Sequence, residues 1–543
     1  MSLSAGCRFR GRKQVKDTGD VSNLRTSAYV RPLDFFRQQQ HNPKKSEAEQ
    51  DLSTEPSSPA VAVPNESEAK ALRRALRVHV YGNDPPPPVK NATDLAARFN
   101  FRPSLNRAIE TAGYHELTRV QMQAMPALLS GREILACAPT GSGKTAAFVV
   151  PIIATLSGNG TVKRRPHEVG IRALILAPTQ ELARQTQREI MKIATGAKLR
   201  TGVLSRKLAS AAAAASRGGG GPGTSGLSNL DILVATPLRV LTLLRKELLI
   251  LDGLRMLVLD EADKLLDLGF VEQVSEILAA ASSKGTTRAL FSATMLPAIE
   301  ELAETALRQP LKIVIGEKNA AAEEVDQELL FVGREDGKML ALRQMVGEGI
   351  DPPVLIFVQS KERAVQLFHR LVYDGLRVDV IHAERSAAQR DAVVEAFRMG
   401  RIWVLIATEV MARGMDFKGV RLVINFDFPQ STVSYIHRIG RTGRAGRPGK
   451  AVTFFTEEDV EQLRAIANVM KASGCDVPDW MLKLKPLRKQ ARRRLEIAPR
   501  SRKTILKTGH GDKGGRSAQG GAPKMRKASK DARAEYGSSE IVD

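Results

Sequence analysis

The chain has 543 residues, a formal charge of +23 and 43% hydrophobic residues. That length exceeds one domain, that hydrophobic share can fill real cores, and so large a positive excess points to an anionic polymer as partner. Its three cysteines (Cys7, Cys137 and Cys475) argue against a disulfide framework or a zinc site, and no apolar run approaches the roughly 20 residues of a membrane span.

Met1–Lys13 carries Arg8, Arg10, Arg12 and Lys13 without an acid, as a mitochondrial presequence would. Gly6, Gly11 and the acids from Asp17 onward make a poor amphipathic helix of it. The remainder of residues 1–88 is polar and broken, ending in the stiff run Pro85–Pro88. It is expected to be a low-complexity extension in which only Glu68–Tyr81 forms a short helix and strand.

Residues 89–316 alternate short apolar runs with helical patterns. Strands are predicted at Ile134–Cys137, Ala173–Ala177, Ile232–Ala235, Met256–Leu259 and Arg288–Phe291. Helices are predicted at Glu181–Ile193, Leu238–Glu247 and Glu272–Ala281. This is the pattern of a parallel sheet with helices on both faces. Leu208–Gly226, an alanine run followed by glycines, reads as a long flexible insertion. Residues 317–327 read as a linker, and 328–475 repeat the alternation. There, strands are predicted at Val354–Phe357, Val378–Ile381, Val404–Ala407, Leu422–Asn425 and Ala451–Phe454. Helices are predicted at Lys361–Tyr373, Ala387–Met399, Thr432–Arg438 and Glu457–Ala472. Residues 476–543 are expected to be a disordered basic tail that binds phosphate backbone without sequence choice; 481–543 hold 18 Lys and Arg against 6 acids.

Ala138-Pro139-Thr140-Gly141-Ser142-Gly143-Lys144-Thr145 lies between a predicted strand and a helix. Glycines let several N–H groups converge on one anion, the helix N-terminus adds partial positive charge, and Lys144 adds a full one. Thr145 can hold Mg²⁺. Asp260-Glu261-Ala262-Asp263 ends another strand, where open α/β sheets bind ligands. Asp260 is placed to hold Mg²⁺ and Glu261 to deprotonate a water. The second half has no phosphate loop, so two similar halves with one cradle suggest a site completed across an interface.

Together these motifs resemble the DEAD-box family of ATP-dependent RNA helicases across residues 90–470. The resemblance implies an α/β fold of two tandem RecA-like parallel-sheet domains, ATP and Mg²⁺ as cofactors, and RNA bound without sequence preference by a monomer with no membrane contact. Family loops commonly open with alanine, as here. Gln121 is similar to the glutamine that reads adenine, although Leu117 stands where proline is usual. Pro178-Thr179, Thr236 with Arg239, and Ser292-Ala293-Thr294 resemble segments that contact RNA or couple hydrolysis to strand separation. Gln180 replaces an arginine. Leu355–Val358 with Ser360-Lys361 resembles another RNA-binding strand end, and Arg390 fits a family arginine with Ala387 replacing a glutamine.

Thr408, Arg413 and Gly414 match an RNA-contacting segment, and Asp416 the residue that meets the ATP ribose. In His437-Arg438-Ile439-Gly440-Arg441-Thr442-Gly443-Arg444, the resemblance implies that Arg441 and Arg444 reach the γ-phosphate from the opposite domain. Ile381–Arg385, Val423–Pro429 and Trp480–Arg494 resemble the branch acting in small-subunit ribosomal RNA maturation. That implies pre-ribosomal RNA and proteins as partners and a nucleolar location. A catalytically dispensable RNA clamp or assembly scaffold, a DNA helicase and a mitochondrial enzyme stand as alternatives.

Overall fold

Each short strand is buried on both faces, so alternate residues feed two different cores. Along Ile134–Cys137, Ile134 and Ala136 enter one core, while Leu135 and Cys137 enter the other. A computed structural model describes residues 8–10, 65–158, 170–217, 227, 229–281, 285–317, 324–409, 417, 419–444, 447–488, 490, 491, 495, 500, 502, 504 and 505.

Two sheets result. The first comprises β2 (Val78–Tyr81), β3 (Ile134–Cys137), β4 (Ala173–Leu176), β5 (Thr201–Val203), β6 (Ile232–Ala235), β7 (Met256–Leu259), β8 (Thr287–Ser292) and β9 (Leu311–Ile315). Its order is β2-β9-β3-β8-β7-β4-β6-β5, parallel throughout except that β2 runs antiparallel to β9. The second comprises β1 (Arg8–Arg10), β10 (Val325–Phe331), β11 (Val354–Val358), β12 (Val378–Ile381), β13 (Val404–Thr408), β14 (Leu422–Asn425) and β15 (Gly449–Phe455), in the order β1-β10-β15-β14-β11-β13-β12. Only β1 is antiparallel. The chain is thus two α/β lobes, each a parallel sheet between helical layers.

Every strand read from an apolar run is present, but several boundaries move. The first lobe begins ahead of residue 89: the helix Glu66–Ala75 leads into β2, which pairs with β9 of its sheet. Strand β10 starts inside the expected linker, and β1 comes from the expected N-terminal extension. The alanine run is not a flexible loop, because Arg206–Arg217 is a helix with Ala212 buried in the core; alanine has the highest helix propensity of any residue. Residues 218–226 lie outside the described residues.

The largest correction concerns the tail. Met481 is fully buried, and Arg502 keeps only 3% of its side chain exposed beneath the second lobe. Part of the expected tail is therefore packed structure, while 506–543 lie outside the described residues. Among the described residues no helix is long and apolar enough to cross a membrane.

Candidate active site and nucleic-acid interface

Ala138, Asp260 and Ser292 follow or end β3, β7 and β8, which are neighbours in the first sheet. Their loops therefore open at one carboxyl edge. Gly141 and Gly143 take φ of +82° and +92°, which favours glycine. A Cβ on Gly143 would stand 2.5 Å from Nε2 of Gln121. Lys144 opens the helix Lys144–Ser157; its Nζ is buried and donates to the carbonyls of Ala138 (2.5 Å) and Pro139 (3.0 Å). Burial pulls the Lys144 pKa down, against the charges of Asp263, Asp260 and Glu261. The Ser142 hydroxyl is buried without a protein partner. Thr145 is the second residue of the helix. An orphaned donor, an ammonium and a helix N-terminus facing one loop fit a phosphate chain.

The acids divide their roles by environment. Asp260 is 3% exposed, and burial, then the charge of Glu261, pushes its carboxyl well above the usual range. A divalent cation would relieve that crowding, and a carboxylate together with a threonine hydroxyl at the helix start, that of Thr145, is a donor set that fits Mg²⁺. Glu261 is affected by burial in the same sense. Lys264, His437 and Arg441 outweigh it and hold the carboxylate ionised. Lys264 donates to it at 2.8 Å. Glu261 also sits at φ +50°, a strained backbone for a non-glycine residue, where it caps the helix Ala262–Asp267.

The sequence reading passed over Asp263 and Lys264. Asp263 is fully buried, and its Oδ2 accepts from the N–H of Ala293 (3.1 Å) and from the N–H and hydroxyl of Thr294 (3.0 and 3.1 Å). The same oxygen lies 3.1 Å from Nε2 of His437 in the second lobe. One carboxylate thus joins the acid loop, the Ser292–Thr294 loop and the helix Thr432–Ile439. The available signal was its place in the acid tetrapeptide; its partners lie far away in sequence.

The second lobe closes on the phosphate loop. Thr140 donates to the Gly440 carbonyl at 3.3 Å. A Cβ on Gly141 would come within 3.0 Å of Cγ of Arg444. Arg441 Nε donates to the His437 carbonyl at 3.3 Å, and Arg444 Nε to Gly440 at 2.9 Å. Arg390 pairs with Glu181 of the first lobe at 2.6 Å.

Gln121 is 1% exposed. Its Nε2 donates to the Gly143 carbonyl at 3.0 Å and its Oε1 accepts from the Thr118 N–H at 3.0 Å. An amide carries two donors and two lone pairs, so one of each lies beyond these two bonds. Pro178 and Thr236 follow β4 and β6 at the same sheet edge, beside β7. Thr179 caps the helix Gln180–Ile193 by accepting from the Leu182 N–H at 3.2 Å. Gln180 and Arg239 both donate to the Leu204 carbonyl, at 3.3 and 2.9 Å. Ser292 donates to the Thr294 carbonyl at 2.7 Å, and Thr408 ends β13. Arg413, Gly414 and Asp416 lie outside the described residues.

Two family models match the chain: the DEAD/DEAH box helicase over residues 118–302 and the helicase conserved C-terminal domain over 337–446. The chain is 47% identical over 426 residues to "DEAD-box ATP-dependent RNA helicase 57" of Oryza sativa subsp. japonica, spanning 78% of this chain and 75% of that protein. It is 41% identical over 486 residues to "ATP-dependent RNA helicase ROK1" of Scheffersomyces stipitis, spanning 87% and 85%. To "Probable ATP-dependent RNA helicase ddx52" of Dictyostelium discoideum it is 48% identical, and the match spans 60% of that longer protein. Among solved structures, Dbp5 of S. cerevisiae bound to RNA and ADP BeF3 superposes with a TM-score of 0.58 at 28% identity, over 70% of this chain and 94% of that one. Mss116p bound to ssRNA and AMP-PNP gives 0.61 at 25% identity, over 74% and 82%. A cleft of this kind between two parallel-sheet lobes defines a nucleotide-driven nucleic-acid remodelling enzyme. The chain belongs to the DEAD-box family of ATP-dependent RNA helicases.

Proposed function

We propose that the chain hydrolyses ATP in the cleft between its lobes to unwind short RNA duplexes or remodel RNA–protein complexes, acting on pre-ribosomal RNA of the small subunit in the nucleolus. Gln121 holds the adenine edge; Lys144, Ser142 and the loop N–H groups hold the phosphates. Mg²⁺, held by Thr145 and Asp260, would screen the phosphate charge. Glu261, kept ionised by Lys264, His437 and Arg441, accepts a proton from the attacking water. Arg441 and Arg444 stabilise charge on the phosphoryl oxygens. The released proton stays on Glu261 until solvent exchange, and the products are ADP and phosphate. RNA runs across the carboxyl edges of β4, β6, β11 and β13, held through backbone and 2′-hydroxyl groups. Lobe closure favours a bent strand that a continuous duplex cannot follow.

The observation that carries this reading is the contact of Asp263 with both the Ser292–Thr294 loop and His437, because it ties the acid loop to the second lobe. The small-subunit assignment rests on the strings Ile381–Arg385, Val423–Pro429 and Trp480–Arg494. Glu261→Gln tests the chemistry: RNA-stimulated ATP turnover is expected to fall about 10²–10⁴-fold with ATP binding retained. Equal turnover by variant and wild type would leave the clamp or scaffold reading in its place. Crosslinking in cells followed by sequencing of the bound RNA tests the substrate; fragments from outside small-subunit precursors would overturn it.

A further inference from the structure

Beneath the second lobe lies a buried ionic network that the family models do not reach on one side. Asp427, two residues after β14, is fully enclosed. Its carboxylate accepts from Lys338 at 2.9 Å, from Arg363 Nε and Nη2 at 2.7 Å each, and from the Gln359 N–H at 2.8 Å. Glu335 pairs with Lys338 at 3.0 Å and with Arg363. Asp459, 2% exposed, caps the turn after β15 by accepting from the N–H and hydroxyl of Thr456 at 3.0 and 2.8 Å. These five side chains carry two positive charges and three negative ones. Arg502 supplies the missing cation: it pairs with Asp459 at 2.8 Å and approaches Glu335 and Asp427 at 3.5 and 3.8 Å. A buried network left one charge short is costly, so this arginine is not incidental to the lobe.

Arg502 also reaches β11. Its Nε donates to Oε1 of Gln359 at 2.9 Å, while Nε2 of Gln359 donates to the Arg500 carbonyl at 2.8 Å. Both ends of the Gln359 amide are therefore held by the C-terminal segment, and its backbone N–H by Asp427. The next residue, Ser360, caps the helix Lys361–Tyr373. Farther along, the Ile505 N–H donates to Gln366 on that helix at 3.1 Å, and Arg500 pairs with Glu461 at 2.5 Å.

We propose that Arg500, Arg502 and Ile505 form a clasp in which Arg502 is a positioning residue: through Gln359 it fixes the end of β11 in the geometry that lets Ser360 and Lys361 contact RNA. The RNA half of this rests on the proposed function; the positioning half does not. The clasp leaves the nucleotide cleft untouched, so it acts on RNA use and not on ATP use.

Arg502→Met in the full chain tests it, beside the double variant Asp459→Asn/Arg502→Met, which restores charge balance but not the bond to Gln359. In both, amide hydrogen exchange at Val358–Lys361 is expected to speed up at least tenfold without RNA. The RNA concentration for half-maximal ATPase is expected to rise about tenfold, with turnover at saturating RNA within twofold of wild type and the RNA-free half-saturation for ATP unchanged. The double variant is expected to regain the melting temperature lost by Arg502→Met but not the RNA half-saturation. Unchanged exchange at Val358–Lys361 would overturn the positioning claim whether or not RNA stimulates the enzyme. Restoration of RNA half-saturation by Asp459→Asn would reduce Arg502 to a stabilising charge. An ATPase that ignores RNA in the wild type, with exchange altered as expected, would count against the proposed function and for the clasp.

Discussion

Gly143 and Glu261 leave the ordinary backbone regions for different reasons. At Gly143 a side chain has no room: left-handed backbone costs a non-glycine residue roughly 1–2 kcal/mol, and the added Cβ would press on the Gln121 amide at 2.5 Å. Gly143→Ala is therefore expected to displace both the loop carbonyl and Gln121, raising the ATP half-saturation more than tenfold in an ATPase titration. An unchanged value would mean that the loop relaxes freely. At Glu261 the carboxylate is turned toward Lys264 and the Arg441 guanidinium of the second lobe. The need for glycine was legible in the loop's spacing, because that spacing encodes the turn itself. The αL turn at Glu261 was not, because nothing in its neighbours requires it.

The strands were legible because each is a compact apolar run bounded by polar residues, and their buried alternation follows from the pleat. Asp263 was not, since its meaning depends on Thr294 and His437, which only the fold brings near. Asp263→Asn removes the charge that faces His437. RNA-stimulated ATPase and strand separation are expected to fall at least tenfold together, and folding stability by roughly 1–3 kcal/mol. On that background His437→Ala is expected to add little, as residues of one network do not add independently. Full additivity in the cycle would separate them. In the second lobe, Lys338, then the bonds and charge of Arg363, and Arg502 outweigh burial and hold the Asp427 carboxyl far below the usual range. Its folded pKa lies below the unfolded one, so its stabilisation is present at neutral pH. It is lost as pH falls below the unfolded value of about 3.9. Asp427→Asn is expected to cost roughly 3–5 kcal/mol at pH 7, with the gap to wild type narrowing in denaturant melts below about pH 4. A gap that stays constant to pH 3 would rule out this origin.

At the scale of the molecule, the charge that first suggested a polyanionic partner is unevenly placed. Residues 481–505 hold ten Lys and Arg against one acid, whereas 506–543 hold eight against five. Composition alone joins these stretches into one disordered, phosphate-binding tail, because a basic run looks the same whether its cations meet a polyanion or buried carboxylates. Asp459, Asp427 and Glu335 are distant in sequence, so the partners of Arg502 were invisible there. The distribution has a consequence for RNA binding, whose dependence on salt scales at about 0.7 per neutralised phosphate on a single strand. Ending the chain after residue 505 removes a net charge of about three, so the log–log salt slope is expected to flatten by no more than about 2. The melting temperature is expected to hold, since the clasp remains. Ending it after residue 482 also removes the clasp and, with Arg500 and Arg502 set aside, about seven further net charges. The slope is then expected to flatten by up to about 5 more, and the second lobe to melt at lower temperature. Binding titrations of both truncated chains from 50 to 300 mM salt measure this, those concentrations bracketing the roughly 8–10 Å screening length at which exposed charges cease to act at distance. If the shorter deletion accounts for most of the salt dependence, the polyanion is held by 506–543 and the basic segment 481–505 is structural alone.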